Sequence, residues 1–418
     1  MLKILHFADA HIDITRFGRH DPESGLPVRV MDFLKALDAI MDAAISEKVD
    51  LVLFAGDAYR DRIPAPTFQR EWGKRMMRLS QASIPTLLVV GNHDLSPAAG
   101  RAHALQEYET LQVPFIRVIS QPELLGPEQL FNLPLQVIGL PWVNRSGLMA
   151  SMPMQAGESQ QVTSELEGQI TLLLQSYLDQ LDPTLPTILT AHASVQGAMY
   201  GNERSVMLGR DVILPGSLVR DPRLDYVALG HIHKSQELNQ GGHPPVVYPG
   251  SIERVDFGEV QDEKHFVIAR VEKGKAEVKW HKLPGRKFFD RQLDLTGPEN
   301  VQAQLEAALP TPEEMKDAIG RLVVTYPREW EAFIDEPALR RHAQSAFEFH
   351  FIRRPQLKLG AKVKAGDTLL GKSTAEQLAF YWNNLGLTQE ELLKLNPLAE
   401  EIMGRVQSGT KPEIRDGA

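Results

Sequence analysis

The chain has 418 residues, 43% of them hydrophobic and 24% charged, with a net charge of −9. That is enough apolar content for two or three folded domains, which excludes disordered and fibrous classes, and the acidic balance speaks against coating nucleic acid by bulk charge, leaving only a local basic groove. Cysteine is absent, so disulfides, zinc–thiolate sites, iron–sulfur clusters and cysteine nucleophiles are excluded, and any metal is held by nitrogen and oxygen.

In chain order, the first half alternates short apolar runs with amphipathic stretches, the pattern of strands and helices in a sheet covered on both faces. Strands are expected at 3–7, 51–55, 85–90, 135–140, 187–190 and 226–229. Helices are expected at 30–49, where Met31, Leu34, Leu37, Ile40, Met41, Ala44 and Ile45 fall at three- and four-residue steps, and at 68–82, 102–111 and 165–181. From Val246 consecutive strands follow, with a hairpin turn at 272–275 between 265–271 and 276–283, suggesting that a second, more antiparallel sheet closes the domain. Pro284-Gly285 marks a boundary, beyond which strands at 288–295, 321–326 and 347–353 and helices at 299–308 and 338–345 describe a small α+β domain. Capping-box patterns at Thr374–Gln377 and Thr388–Glu391 open two further helices, the second expected to break at Pro397. No apolar run approaches the roughly 18 residues of a membrane span and no signal-peptide pattern opens the chain, so the expectation is a cytoplasmic protein that does not contact membranes.

Chemistry begins where the strands end. Five apolar runs close in polar clusters of metal-ligand type: Asp9-Ala-His11, Gly56-Asp57, Gly91-Asn-His-Asp94, His192 and Gly230-His-Ile-His233. Singly, each is more often a turn residue or a satisfied surface histidine. Together they point to a metal site, because ligands of open α/β sheets bind beyond the carboxyl ends of the strands and no folding requirement puts such residues after five of them. Asp9, His11, Asp57, Asn92, His192, His231 and His233 are too many for one catalytic ion that keeps a position open for water, whereas two ions sharing Asp57 fit. The donor set suits manganese, iron or zinc better than magnesium or calcium. Two ions about 4 Å apart are suited to phosphoryl chemistry.

This order of motifs resembles the calcineurin-like metallophosphoesterases. Within them, Ala191–Ala198, Gly201–Arg204, Asp225–Gln236, Tyr248–Ser251 and Asp256–Glu259 are similar to the SbcD-type DNA repair exonucleases, bacterial members of the meiotic-recombination nuclease family, strongly over residues 1–283 and only in outline beyond. The resemblance implies an α/β four-layer αββα core over residues 1–283, a capping α+β domain at 284–356 that helps place DNA, and a linker with a helical tail at 357–418. It implies that Asp9, His11, Asp57 and His233 hold one ion and Asp57, Asn92, His192 and His231 the other, usually manganese. It also implies that His93 protonates the leaving oxygen or stabilises the transition state, with Asp94 orienting its ring. The implied activity is 3′→5′ exonuclease and endonuclease cleavage of DNA ends and hairpins, in a homodimer docked on an SbcC-type coiled-coil ATPase. Helices 68–82 and 102–111 are the expected dimer surface, and Leu378, Tyr381, Trp382 and Leu385 the expected ATPase-docking stripe. Arg60, Arg286, Arg353 and Arg354 are candidate DNA contacts, weighed against the plainer reading of solvated arginines. Arg60 stands where relatives often place an aromatic or histidine, which leaves the balance of exonuclease and endonuclease action open, and Ile252 stands where proline is commoner; neither departure removes a ligand. Alternatives are a phosphoesterase for nucleotides or phosphoproteins and a non-catalytic scaffold that binds DNA ends.

Overall fold

A computed structural model describes residues 1–15, 20–96, 101–143, 159–201, 212–356, 373–374, 377–378, 382, 387 and 389–407. Tyr381, Leu385 and the expected linker 357–372 lie outside them. The chain divides into two compact units, one made of Met1–Asp290, Thr311–Arg321 and Gln344–Phe349, the other of Arg291–Pro310, Leu322–Ala343 and His350–Ala418. Among the described residues no helix is long and apolar enough to cross a membrane.

The first unit opens with β1 (Leu2–Phe7), α1 (Val28–Ser46), β2 (Leu51–Phe54), α2 (Pro66–Gln81), β3 (Thr86–Val89), α3 (Gln106–Thr110) and β4 (Ile116–Ile119). It continues with β5 (Glu123–Leu125), β6 (Gln136–Leu140), α4 (Ser159–Leu178), β7 (Thr187–His192), β8 (Ser194–Val195), β9 (Ile213–Leu214) and β10 (Tyr226–Gly230). Strands β11 (Gln236–Glu237), β12 (Val246–Tyr248), β13 (His265–Glu272) and β14 (Lys275–Lys282) follow. Two six-stranded sheets result, ordered β14-β13-β1-β2-β3-β4 and β11-β12-β10-β7-β6-β5.

Strand periodicity sets the layers. In β1 and β2, Leu5, Phe7, Val52 and Phe54 face the apolar stripe of α1, while Ile4, Leu51 and Leu53 face the other way. The second sheet does the same: Ile188, Tyr226 and Ala228 meet the first sheet, and Leu189, Val227 and Leu229 pack with Leu166, Ile170 and Leu174 of α4. Both faces of the inner strands β2, β3, β7 and β10 are buried, which is why they read as continuous apolar runs, and the order of layers is helix, sheet, sheet, helix.

Several expectations need correction. The hairpin β13–β14 does not belong to a separate sheet; β13 pairs antiparallel with β1, Ile4 opposite Ala269, and extends the first sheet. The expected helix 102–111 shortens to α3, and the Ala104 amide before it donates to the Asp94 carbonyl at 2.9 Å. Pro397 does not break the tail: one helix runs from Gln389 to Gln407 with the proline inside it. Strands β15 (Phe288–Asp294), β16 (Ile319–Pro327) and β17 (Glu348–Gln356) form a three-stranded sheet with β16 central.

Candidate metal centre

β1, β2 and β3 run parallel in the first sheet, and β7 and β10 run parallel in the second. Their carboxyl ends therefore bring the five polar clusters to one rim. Backbone bonds lock the loops together: Asp9 donates to the Gly56 carbonyl at 2.9 Å and Ala10 to the Asp57 carbonyl at 2.8 Å. The two sheets are joined there by the His231 amide, which donates to the Asp9 carboxylate at 3.0 Å, and by His192 Nδ1, 2.7 Å from the Ala55 carbonyl.

The rim is built under backbone strain. Asp9, His11, Asp57 and His231 all have positive φ, at 51°, 40°, 64° and 101°, a region that costs a residue bearing Cβ about 1–3 kcal/mol. Crowding explains the neighbouring glycine: a Cβ on Gly91 would sit 2.1 Å from Asp57 Oδ1 and 2.5 Å from the Asp57 amide nitrogen.

Asp9, His11 and His233 each offer a donor atom within 4.8 Å of the others, and so do Asp9, Asp57 and His192. Asp9 therefore reaches both groups, while Asp57 Oδ2 lies 3.9 Å from His11 Nε2 and 3.4 Å from His192 Nε2. Asn92 Oδ1 stands 3.0 Å from His192 Nε2 and 3.1 Å from His231 Nδ1. All seven expected ligands thus converge, and all but His233 are almost wholly buried.

Hydrogen bonds decide which ring nitrogens are available. His11 Nδ1 faces the Tyr59 carbonyl at 3.2 Å, and His233 Nδ1 faces the Glu259 carboxylate at 2.8 Å. Both partners only accept, so each ring carries its proton on Nδ1 and presents a lone pair at Nε2. Those two Nε2 atoms are 3.1 Å apart. Two lone pairs at that separation repel unless a cation or proton lies between them, so the donor set fits a metal. Burial alone would lower His192, but the Asp57 carboxylate outweighs it and pushes the ring up to about 9. Burial works against ionising Asp57 as well, yet the charges of His192 and His93 hold it well below the usual carboxylate range. His11 is held well below its ordinary value, chiefly by burial.

His93 lies beside this cluster, its ring 5.2 Å from that of His11 and its amide donating to Asp57 Oδ1 at 2.8 Å. Asp94 does not orient that ring. Its carboxylate accepts the amides of Asp57, Ala58 and Gly91, each at 2.9 Å, and thereby pins the loops after β2 and β3. Burial and repulsion from Asp57 push Asp94 up to about 7. The group that meets His93 Nδ1 is the Arg60 carbonyl, at 2.6 Å. His93 and Arg60 line an open cleft of about 570 Å³ together with Asp13, Asp61, Arg62 and Ile63.

The remaining expected site residues lie elsewhere. Arg286 makes a two-pronged ion pair with Asp32, at 2.5 and 2.8 Å, and stacks on Phe347, so its charge is already matched. Arg353 is 3.6 Å from Glu331 and 3.8 Å from Glu336, and Arg354 is exposed. Leu378 and Trp382 are partly exposed. Sequence reasoning gave no role to Glu259, Lys264, Asp13 or Trp142, although the Trp142 ring lies 4.9 Å from that of His231. Only Glu259 carried a signal, as the last residue of the Asp256–Glu259 motif.

The profile of the calcineurin-like phosphoesterase family matches residues 2–235. Among curated proteins, the chain is 24% identical over 307 residues to the uncharacterized metallophosphoesterase YhaO of Bacillus subtilis, covering 72% of this chain and 65% of that one. It is 23% identical over 282 residues to the SbcD component of the nuclease SbcCD from Escherichia coli, covering 66% of each. Similarity to the DNA double-strand break repair protein Mre11 of Methanosarcina acetivorans is 22% over 381 residues, 90% of this chain and 52% of that protein. In each case the match spans less than two thirds of the relative's own length.

Proposed function

The chain belongs to the calcineurin-like phosphoesterase family, and from that premise we propose that it is a two-metal DNA nuclease of the SbcD type. One observation carries the metal reading: the Nε2 atoms of His11 and His233 face each other at 3.1 Å while their Nδ1 atoms are committed elsewhere; the second donor group, Asp9, Asp57 and His192, supports a second ion. Asp9, His11, Asp57 and His233 would hold one divalent ion, and Asp57, Asn92, His192 and His231 the other, with manganese the expected metal. Such a pair would supply an activated nucleophile at neutral pH and positive charge for the phosphate oxygens.

The protein's own groups do the rest. His93, with Nδ1 donating to the Arg60 carbonyl, keeps Nε2 for the substrate and hands a proton to the departing sugar oxygen. Arg60 and Arg62 line the same open cleft, where their two cationic side chains suit the flanking phosphates of a polymeric phosphodiester better than a small monoester. The substrates are DNA ends and hairpins. Relatives named as a nuclease subunit and as a break-repair protein support this reading; we propose with it a homodimer and an SbcC-type ATPase partner in the cytoplasm. Residues 284–356 would cap the DNA and 357–418 dock the partner.

The test is end-labelled blunt duplex and hairpin DNA incubated with the metal-stripped chain, with and without added manganese. Manganese-dependent shortening of the labelled strand is expected. Hydrolysis of small phosphodiesters alone would turn the reading toward a nucleotide phosphoesterase, and binding of DNA without cleavage toward a scaffold.

A further inference from the structure

Glu259 and Lys264 are an ion pair sealed inside the protein, 3% and 1% exposed. Burying two charges gains little over apolar packing, so the pair is poorly explained by stability alone. Its contacts point to the metal centre. Lys264 Nζ lies 2.7 Å from Glu259 Oε2 and donates to the Ser251 hydroxyl at 2.8 Å and the His233 carbonyl at 3.1 Å. Glu259 Oε2 also accepts the Val255 amide at 3.0 Å, which leaves Oε1 for His233 Nδ1 at 2.8 Å. The carboxylate is fixed on several sides and delivers one contact.

Two of the other ligand histidines, His11 and His192, are supported differently. His11 Nδ1 and His192 Nδ1 donate to the neutral carbonyls of Tyr59 and Ala55, at 3.2 and 2.7 Å. An anionic acceptor fixes the imidazole tautomer more firmly than a carbonyl and makes the opposite ring nitrogen a stronger donor to a cation. We propose that Glu259, locked by Lys264, is the positioning residue of the cation site formed by Asp9, His11 and His233, and that it makes this the tighter of the two sites. The inference rests on the two-ion reading above and deepens it.

The experiment titrates manganese into the metal-stripped full chain and follows bound ion by electron paramagnetic resonance. A second arm reads the His233 ring tautomer of the metal-free protein by long-range ¹⁵N correlation, with the His233 signals identified by their loss in His233→Gln. Because Glu259→Gln alone strands the Lys264 charge, the main variant is Glu259→Gln with Lys264→Met, which removes both charges. In the native chain we expect two ions, one tighter, and a His233 protonated only on Nδ1. In the double variant the tighter site weakens about 10- to 100-fold, the other keeps its affinity, and the His233 signals shift to a tautomer mixture. Unchanged affinities with an unchanged tautomer would overturn the proposal, and so would equal weakening of both sites, which marks a general structural effect. If the native chain takes up no ion, the two-ion reading fails by itself. The tautomer arm then still decides whether Glu259 sets the ring.

Discussion

Asp13 holds Arg60 by its backbone: the Asp13 carboxylate accepts the Arg60 amide at 2.5 Å, and the carbonyl of that same arginine lies 2.6 Å from His93 Nδ1. A buried acid thus reaches the expected leaving-group acid through the backbone of one residue. It also accepts the Asp61 amide at 2.9 Å. Asp13→Ala frees two amides, loosens the loop and misaims the ring. Turnover of a phosphodiester should fall by about 100-fold with the metal content intact, the scale expected for a misplaced catalytic group. Asp13→Asn, which keeps one acceptor oxygen, should fall between. Equal turnover in all three proteins would disconnect Asp13 from His93.

His93→Ala should keep both ions and lose about 100- to 10,000-fold in turnover, the usual contribution of a positioned acid. Bound manganese and steady-state cleavage of unactivated DNA are measured on the same preparation. A substrate whose leaving group needs no proton should be far less affected. Undiminished turnover of unactivated DNA would assign the proton to another group.

Gly91→Ala tests the crowding beneath Asp57. The new Cβ would have to occupy space 2.1 Å from Asp57 Oδ1, between backbone segments with little room to yield. We expect unchanged circular dichroism, manganese affinity reduced at least about tenfold, and correspondingly poor activity. Chelation should silence the native protein reversibly, with manganese restoring it. Native affinity in the variant would show that the loops after β2 and β3 can separate.

His6 supplies a pH dependence away from the ligands. Its ring is buried, with Nδ1 2.9 Å from the Tyr226 hydroxyl and Nε2 3.2 Å from the Leu229 carbonyl. Burial lowers it from 6.5 to about 3, against a small opposing effect of the Leu229 bond. The folded pKa is depressed, so the contribution is complete above pH 6.5. Between 6.5 and 3 the unfolded chain binds a proton that the folded one refuses, and stability falls by up to about 1.4 kcal/mol per pH unit. Urea midpoints at pH 7, 6 and 5 should drop more steeply for the native protein than for His6→Gln. Parallel slopes would exclude His6 as the source.

The centre was largely legible because its donors follow apolar strands whose parallel direction places all their carboxyl ends on one rim. Their support was not. Glu259 and Lys264 look like surface charges until folding buries them, and Asp13 looks like a turn residue until Arg60 closes on it. Asp94 sits next to His93 in sequence, yet its carboxylate is claimed by amides of Asp57, Ala58 and Gly91. The edge strands β4 and β5, four and three residues long, were too short to show a period. That β13 pairs with β1 depends on partners more than 260 positions apart, such as Ile4 and Ala269, which no local pattern encodes.

The left-handed backbone at Asp9, His11, Asp57 and His231 has a corollary for redesign. Glycine would be more comfortable in each of those conformations, so a sequence optimised for robustness alone would erase the donor atoms one by one. Thermal resilience and the capacity to gather cations compete at the same four positions, and engineering for heat tolerance should leave them untouched.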